Sequence, residues 1–66
     1  MSFKEWLYDQ LINDGVIDES EVDIEELDKD LLLTSTDLDN YDIDNYEDQF
    51  KEHCAAVGTD PVWDVH

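Results

Sequence analysis

Twenty of the 66 residues are Asp or Glu, against three Lys and no Arg, giving a formal net charge of −17. No other feature limits the fold so strongly. Repulsion within a single-sign charge set works against the compact state. A chain this short has little core with which to oppose it. Charge of this density often marks a chain that stays unfolded. Here, however, Leu, Ile, Val and Phe make up 18 of the 66 residues, above the roughly 20% below which a highly charged chain is expected to remain disordered. Phe3, Trp6, Tyr8, Tyr41, Tyr46, Phe50 and Trp63 distribute aromatic area along the chain. The expectation is a single acidic helical domain over residues 1–66, all-α, with three helices, short turns and a small core.

The periodicities place the helices. Ser2 and Glu5 have the S-x-x-E spacing of a capping box, in which each side chain satisfies a backbone N–H at the helix start. Phe3, Leu7 and Leu11 recur at i, i+4 and i+8, with Trp6 on the adjoining edge, which predicts a helix over 3–14. Gly15 suits its left-handed stop. Val16 and Ile17 are expected to fold back on this helix, and Asp18-Glu19-Ser20 to turn. A second start at Asp23, with Glu26 three residues on, predicts a helix carrying Ile24, Leu27 and Leu31 on one stripe, and Lys29 paired with Glu25 or Glu26. Alternation over Glu21-Val22-Asp23-Ile24-Glu25 also fits a short strand. Thr34-Ser35-Thr36 ends the second helix, and Thr36 with Asp39 suits a separate turn carrying Leu38 and Tyr41 inward. The last helix is expected to be capped by Asp42 or Asp44, to bury Ile43, Tyr46, Phe50, Cys54 and Val57, and to stop at Gly58. Pro61 forbids continuation, and Trp63 is expected to fold back over the core.

The acids are unevenly placed. Eight of the thirteen residues from Asp18 to Asp30 are acidic, and six more fall between Asp37 and Asp48 with no cation among them. On the last helix Asp44, Asp48 and Glu52 recur at i, i+4 and i+8, about 6 Å apart along the axis at 1.5 Å per residue. That is comparable to the separation of neighbouring phosphates on one strand. A compact chain of this length has a radius of gyration of about 11 Å and a diameter of roughly 28 Å. The same length of duplex DNA carries about 16 charges. Imitation of a duplex by this protein is therefore feasible in total charge.

In its length, its Asp/Glu excess across residues 14 to 52 and its near absence of cations, the chain resembles the small acidic proteins that bacteriophages use as DNA mimics, including anti-CRISPR and anti-restriction proteins. The resemblance implies a stoichiometric inhibitor that occupies the nucleic-acid site of a host defence protein. The expected target is the basic groove of a CRISPR effector that reads the short duplex motif beside the target. The expected contact face runs from Glu21 to Glu52 and comprises Glu21, Glu25, Glu26, Asp30, Asp37, Asp39, Tyr41, Asp42, Asp44, Asp48 and Glu52. Tyr41, set within the acidic stretch, is the aromatic expected to stay exposed and add contact area. The alternative is an acidic protein–protein adaptor that does not compete with nucleic acid.

Other chemistries fit less well. Asp37, Asp39, Tyr41, Ile43, Asn45 and Asp48 echo the spacing of a calcium loop, but Asp42 stands where that loop needs Gly and Asp48 where it needs Glu. An acyl-carrier role lacks the Asp-Ser-Leu attachment sequence, since Ser20 lies in Glu19-Ser20-Glu21. His53 and Cys54 are adjacent on a helix, so their side chains diverge by about 100° and make no nucleophile–base pair. Cys54 falls on the apolar stripe as a small core residue, and His66 is expected to be mobile. The chain is read as no enzyme, without cofactor or metal. One cysteine allows no internal disulfide. No apolar run approaches a membrane span, no signal peptide is recognisable, and an anionic membrane or nucleic acid would repel the surface. The protein is expected to be cytoplasmic, in the infected host cell if phage-encoded, and a monomer or weak dimer.

Overall fold

The structure, a computed structural model, describes residues 1–65; the expectation for His66 lies outside the described residues. Three α-helices and one 3-10 turn (Ile24–Glu26) form the domain: α1 (Phe3–Asn13), α2 (Lys29–Ser35) and α3 (Asn40–Val57). Helices α1 and α3 run antiparallel. The ring of Phe3 packs 5.0 Å from that of Phe50, and the Tyr46 hydroxyl reaches Asp14 at the far end of α1. Phe3, Leu7 and Leu11 enter the core as their spacing predicts, joined by Leu27, Leu32, Ile43, Phe50, Cys54 and Val65. Full burial of one such side chain is worth about 1.5–3 kcal/mol. No polar or charged residue is buried among the described residues, so this core opposes the surface repulsion without a desolvation cost of its own. The radius of gyration is 11.4 Å, the value expected for a compact chain of this length.

Helix α1 begins and ends where the sequence places it, but only half of the expected capping box forms: among the described residues the Glu5 side chain accepts no hydrogen bond from the Ser2 N–H. The Ser2 hydroxyl oxygen accepts the Glu5 N–H at 3.3 Å, Asp14 is the C-cap, and Gly15 takes a left-handed φ of 75°. The Ser2 hydroxyl donates to Asp64, and its backbone pairs with Val62 in a parallel bridge. Asp64 also accepts the Lys4 N–H at 2.8 Å. The Phe3 N–H reaches the Val62 carbonyl at 2.9 Å, and the Val62 N–H the Met1 carbonyl at 2.8 Å. The first and last segments are thus clasped together. This clasp seats Trp63 with its ring 5.1 Å from Phe3 and 5.3 Å from Phe50.

The middle of the chain departs from expectation. A continuous second helix from Asp23 is replaced by the 3-10 turn, a break, and then α2. At the break Leu27 is extended (φ −70°, ψ 114°) and buried, while the Asp28 side chain caps a new helix by accepting the Leu31 N–H at 2.7 Å. The restart turns Leu32 into the core and leaves Leu31 half-buried. Continuing the helix would forfeit the burial of either Leu27 or Leu32. Lys29 consequently sits in the first turn of α2 and pairs with Glu47 on α3 at 3.2 Å, rather than with Glu25 or Glu26. The alternation over residues 21 to 25 forms no strand: Glu21 lies in a turn, and Ile24 and Glu25 in the 3-10 turn.

Helix α3 starts earlier than expected. Asp39 is its N-cap and forms a reciprocal box with Asp42, whose N–H donates to Asp39 at 2.9 Å while the Asp39 N–H donates to Asp42 at 3.3 Å. Neither Asp42 nor Asp44 is the cap. The separate turn at Thr36–Asp39 is absent, because the Thr36 hydroxyl donates to the Leu32 carbonyl and accepts the Leu38 N–H at 3.2 Å, closing α2 instead. Leu38 still packs against the core, but Tyr41 is turned outward. Gly58 ends the helix at φ 74°. Val57, expected in the buried stripe, is 55% exposed. The buried stripe of α3 closes with Cys54, and the three residues after it, Ala55, Ala56 and Val57, are all exposed.

Candidate acidic interface

Helix α3 sets the main charged face. Turning its buried stripe of Ile43, Phe50 and Cys54 inward sends Tyr41, Asp44, Asp48 and Glu52 to the opposite side at 100° per residue. All four are exposed, Tyr41 by 73%. This is the rigid row of carboxylates that the spacing predicts, with an uncovered aromatic ring at its N-terminal end. No Lys forms an ion pair with this row among the described residues. Lys29 is engaged by Glu47, and the Lys51 ammonium lies over the Trp63 ring, 5.8 Å from its centroid, although Lys51 is only three residues from Asp48. Lys4 stands beside Asp64 at the clasp, where its charge helps keep that carboxylate ionised.

The remaining candidates do not all share this face. Asp39 and Asp42 hold the start of α3, and Asp42 is half-buried there. Asp30 is exposed in the first turn of α2, next to the Lys29–Glu47 pair that ties α2 to α3. Asp37 lies in the α2–α3 connection and lines a groove of about 550 Å³ with Asp14, Asp42 and Tyr46. Glu25 is exposed on the 3-10 turn, whereas Glu21 and Glu26 line a second groove to which α3 contributes no residue. The expected continuous face from Glu21 to Glu52 is therefore divided between the outer side of α3 and the side formed by the α1 C-terminus, the 3-10 turn and α2.

Three further acids are held by contacts that no helical sequence pattern marks. Tyr46 donates to Asp14 at 2.7 Å; burial, that hydrogen bond, and the charges of Asp14 and Asp42 push the phenol up to about 12. Asp18 accepts both the Ser20 N–H at 3.0 Å and the Ser20 hydroxyl at 2.8 Å, and these bonds hold its carboxyl below the usual range against a small opposing effect of burial. Asp64 is opposed by burial, yet the bonds from Ser2, the Lys4 N–H and its own backbone, with the Lys4 charge, keep it below its ordinary value. Asp14 at the end of a strongly periodic helix, followed by Gly15, was the available signal that the chain returns past this point.

Cys54 is buried and His53 half-buried, its ring 6.3 Å from that of Trp6. Four of the residues that echo a calcium loop, Tyr41, Ile43, Asn45 and Asp48, lie on α3, and Ile43 is buried in the core. Among the described residues no three His, Cys, Asp or Glu side chains converge as metal ligands, and no helix is long and apolar enough to cross a membrane. Comparison with protein families, characterised proteins and solved structures yields no match to this chain.

Proposed function

We propose that this protein is a nucleic-acid-mimicking inhibitor, of the anti-CRISPR kind, which occupies the basic site where a CRISPR effector reads the duplex motif beside its target and so blocks target DNA binding. The observation that carries this reading is the outer face of α3: Asp44, Asp48 and Glu52 exposed at one-turn intervals, spaced about 6 Å apart along a rigid axis, with Lys29 and Lys51 drawn elsewhere. An Arg/Lys-lined groove built for phosphates meets in this face the same sign and a similar repeat of charge. Long-range attraction speeds the encounter, and desolvated ion pairs supply the holding energy. The protein acts without turnover, as a monomer or weak dimer in the host cytoplasm, and its own charge keeps it off nucleic acid.

Competition tests the reading. Fluorescence anisotropy of a labelled target duplex on an effector–guide complex should show the duplex displaced stoichiometrically as this protein is added. A stable ternary complex with unchanged duplex affinity would instead favour the acidic adaptor. Elution of partners from a host lysate with rising salt, followed by mass spectrometry, identifies which basic protein is held.

A further inference from the structure

A second surface, to which α3 contributes no residue, is of a different kind. A groove of about 770 Å³ opens between the C-terminal end of α1, the 3-10 turn and α2, within the roughly 300–1,000 Å³ typical of ligand clefts. Its floor is apolar: Ile12, Val16, Ile17, Val22 and Leu31 line it, and all five are only half-buried. Its rim is acidic. Asp18, Glu19, Glu21 and Glu26 line it, no Lys is among the lining residues, and all four acids are exposed.

The groove is held open by hydrogen bonds. The Val16 and Ile17 N–H groups both donate to the Leu11 carbonyl, at 2.9 and 3.4 Å. The Tyr8 hydroxyl donates to the Val22 carbonyl and pins the opposite wall. The field of the rim is felt at that phenol, whose pKa is raised by burial and by Asp23, Glu19 and Asp18. Val16, Ile17 and Leu31 pack against the core from below, yet they and Ile12 and Val22 keep part of their apolar surface in the groove. That apolar strip suits an occupant with an apolar face, and the rim states the sign of its flanking charge. A nucleic-acid groove lined only by Lys and Arg would leave the apolar floor uncovered.

We infer that this groove docks a basic amphipathic helix of the partner, with apolar side chains on one face entering the floor and flanking Lys or Arg meeting the rim carboxylates. Such helix-in-groove recognition reads apolar anchors at i, i+3, i+4 and i+7, and a preformed groove loses little ordering entropy on binding. The inference rests on the reading of this protein as a binder of basic partners, and it adds a second contact outside the α3 row. The partner then offers two features, a phosphate-type groove for α3 and an amphipathic basic helix for this cleft.

Two synthetic peptides of identical Leu, Lys and Arg composition test it, one with its leucines on one helical face and one scrambled. Each is titrated into the isotope-labelled protein and followed by backbone amide NMR. The patterned peptide should bind about tenfold more tightly than the scrambled one, a difference of about 1.4 kcal/mol, with shifts concentrated between residues 12 and 36. The preference should vanish in Ile12→Ser with Val22→Ser. Should that variant lose helicity, Glu21→Gln with Glu26→Gln, which changes only exposed side chains, should weaken the patterned peptide severalfold. Equal affinities for the two peptides, shifts centred on Tyr41 to Glu52, or no effect of the rim variant would overturn the groove. These outcomes are independent of the duplex competition. A failed groove leaves mimicry by α3 standing, and a ternary complex with DNA leaves the groove standing.

Discussion

Individual carboxylates in this protein have unequal tasks. Asp39 and Asp42 cap a helix, Asp28 starts another, and Asp64 ties residues 2 and 4 to the chain's last segment. Asp44, Asp48 and Glu52 are exposed and make no side-chain hydrogen bond or ion pair among the described residues. Partner binding should therefore fall much further for Asp44→Asn, Asp48→Asn and Glu52→Gln combined than for Glu5→Gln and Asp9→Asn combined. Truncating desolvated charged contacts costs about 2–5 kcal/mol, whereas rim charges mainly change the on-rate. Because Asp39 rather than Asp44 is the cap, the triple variant should keep wild-type helicity by circular dichroism, and equal losses from the two sets would remove α3 from the interface. Asp64 makes a prediction in pH. Its folded pKa lies below the ordinary 3.8, so its contribution is complete above that value and is lost as pH falls through the lower folded one. Asp64→Asn should lower the Tm at pH 6, and the difference from the wild type should shrink as the pH falls below 3.8. Tyr46 works in the opposite direction: raised to about 12, it favours the fold below pH 10 and loses that effect as pH climbs toward its folded value.

At the scale of elements, turning points matter more than helix propensity. Gly15 and Gly58 both hold left-handed backbone, yet an added Cβ would meet nothing within 4 Å at either. The cost of Gly58→Ala is then conformational alone, about 1–2 kcal/mol, and Gly58→Asn should recover part of it. The break at Leu27 and Asp28 is the more demanding site. Leu27→Ala should cost about 2–5 kcal/mol and Asp28→Ala about 1 kcal/mol, both measured by urea denaturation monitored at 222 nm. If the break were incidental and a continuous helix equally good, Asp28→Ala would instead leave stability unchanged or raise it. The same break sends Lys29 to Glu47 and thereby leaves Glu25 and Glu26 without the partner their spacing suggests.

For the whole molecule, the −17 charge that the proposed function makes the binding surface also repels itself and so works against the fold. Its self-repulsion is screened over a Debye length that shrinks from about 30 Å at 0.01 M to about 10 Å at 0.1 M salt. The molecule measures 32 by 24 by 20 Å, so nearly every pair of acids interacts at the lower ionic strength and only neighbours do at the higher. The Tm should therefore rise with sodium chloride across this range while partner affinity falls. Melts and binding isotherms in the same buffers would show the two trends running in opposite directions; a Tm that falls with salt would mean that specific ion pairs, not repulsion, dominate.

Local information determined the features that depend on neighbours in the chain. The α1 stripe at Phe3, Leu7 and Leu11, the stops at Gly15 and Gly58, the all-α class and the outward row at Asp44, Asp48 and Glu52 were legible because helical periodicity and left-handed caps act within a turn or two of sequence. The cap at Asp39 and the break at Leu27 were not, since several Asp residues offered equivalent caps and only the filling of the core selects among them. Least legible was anything joining distant residues: the Ser2–Asp64 clasp, Tyr46 on Asp14, Lys29 on Glu47, and the groove where Ile12 and Val22 meet an acidic rim. These contacts exist because burying Leu27, Leu32 and Val65 against α1 and α3 draws the surrounding polar groups into place, and no local pattern encodes which carboxylate arrives beside which donor.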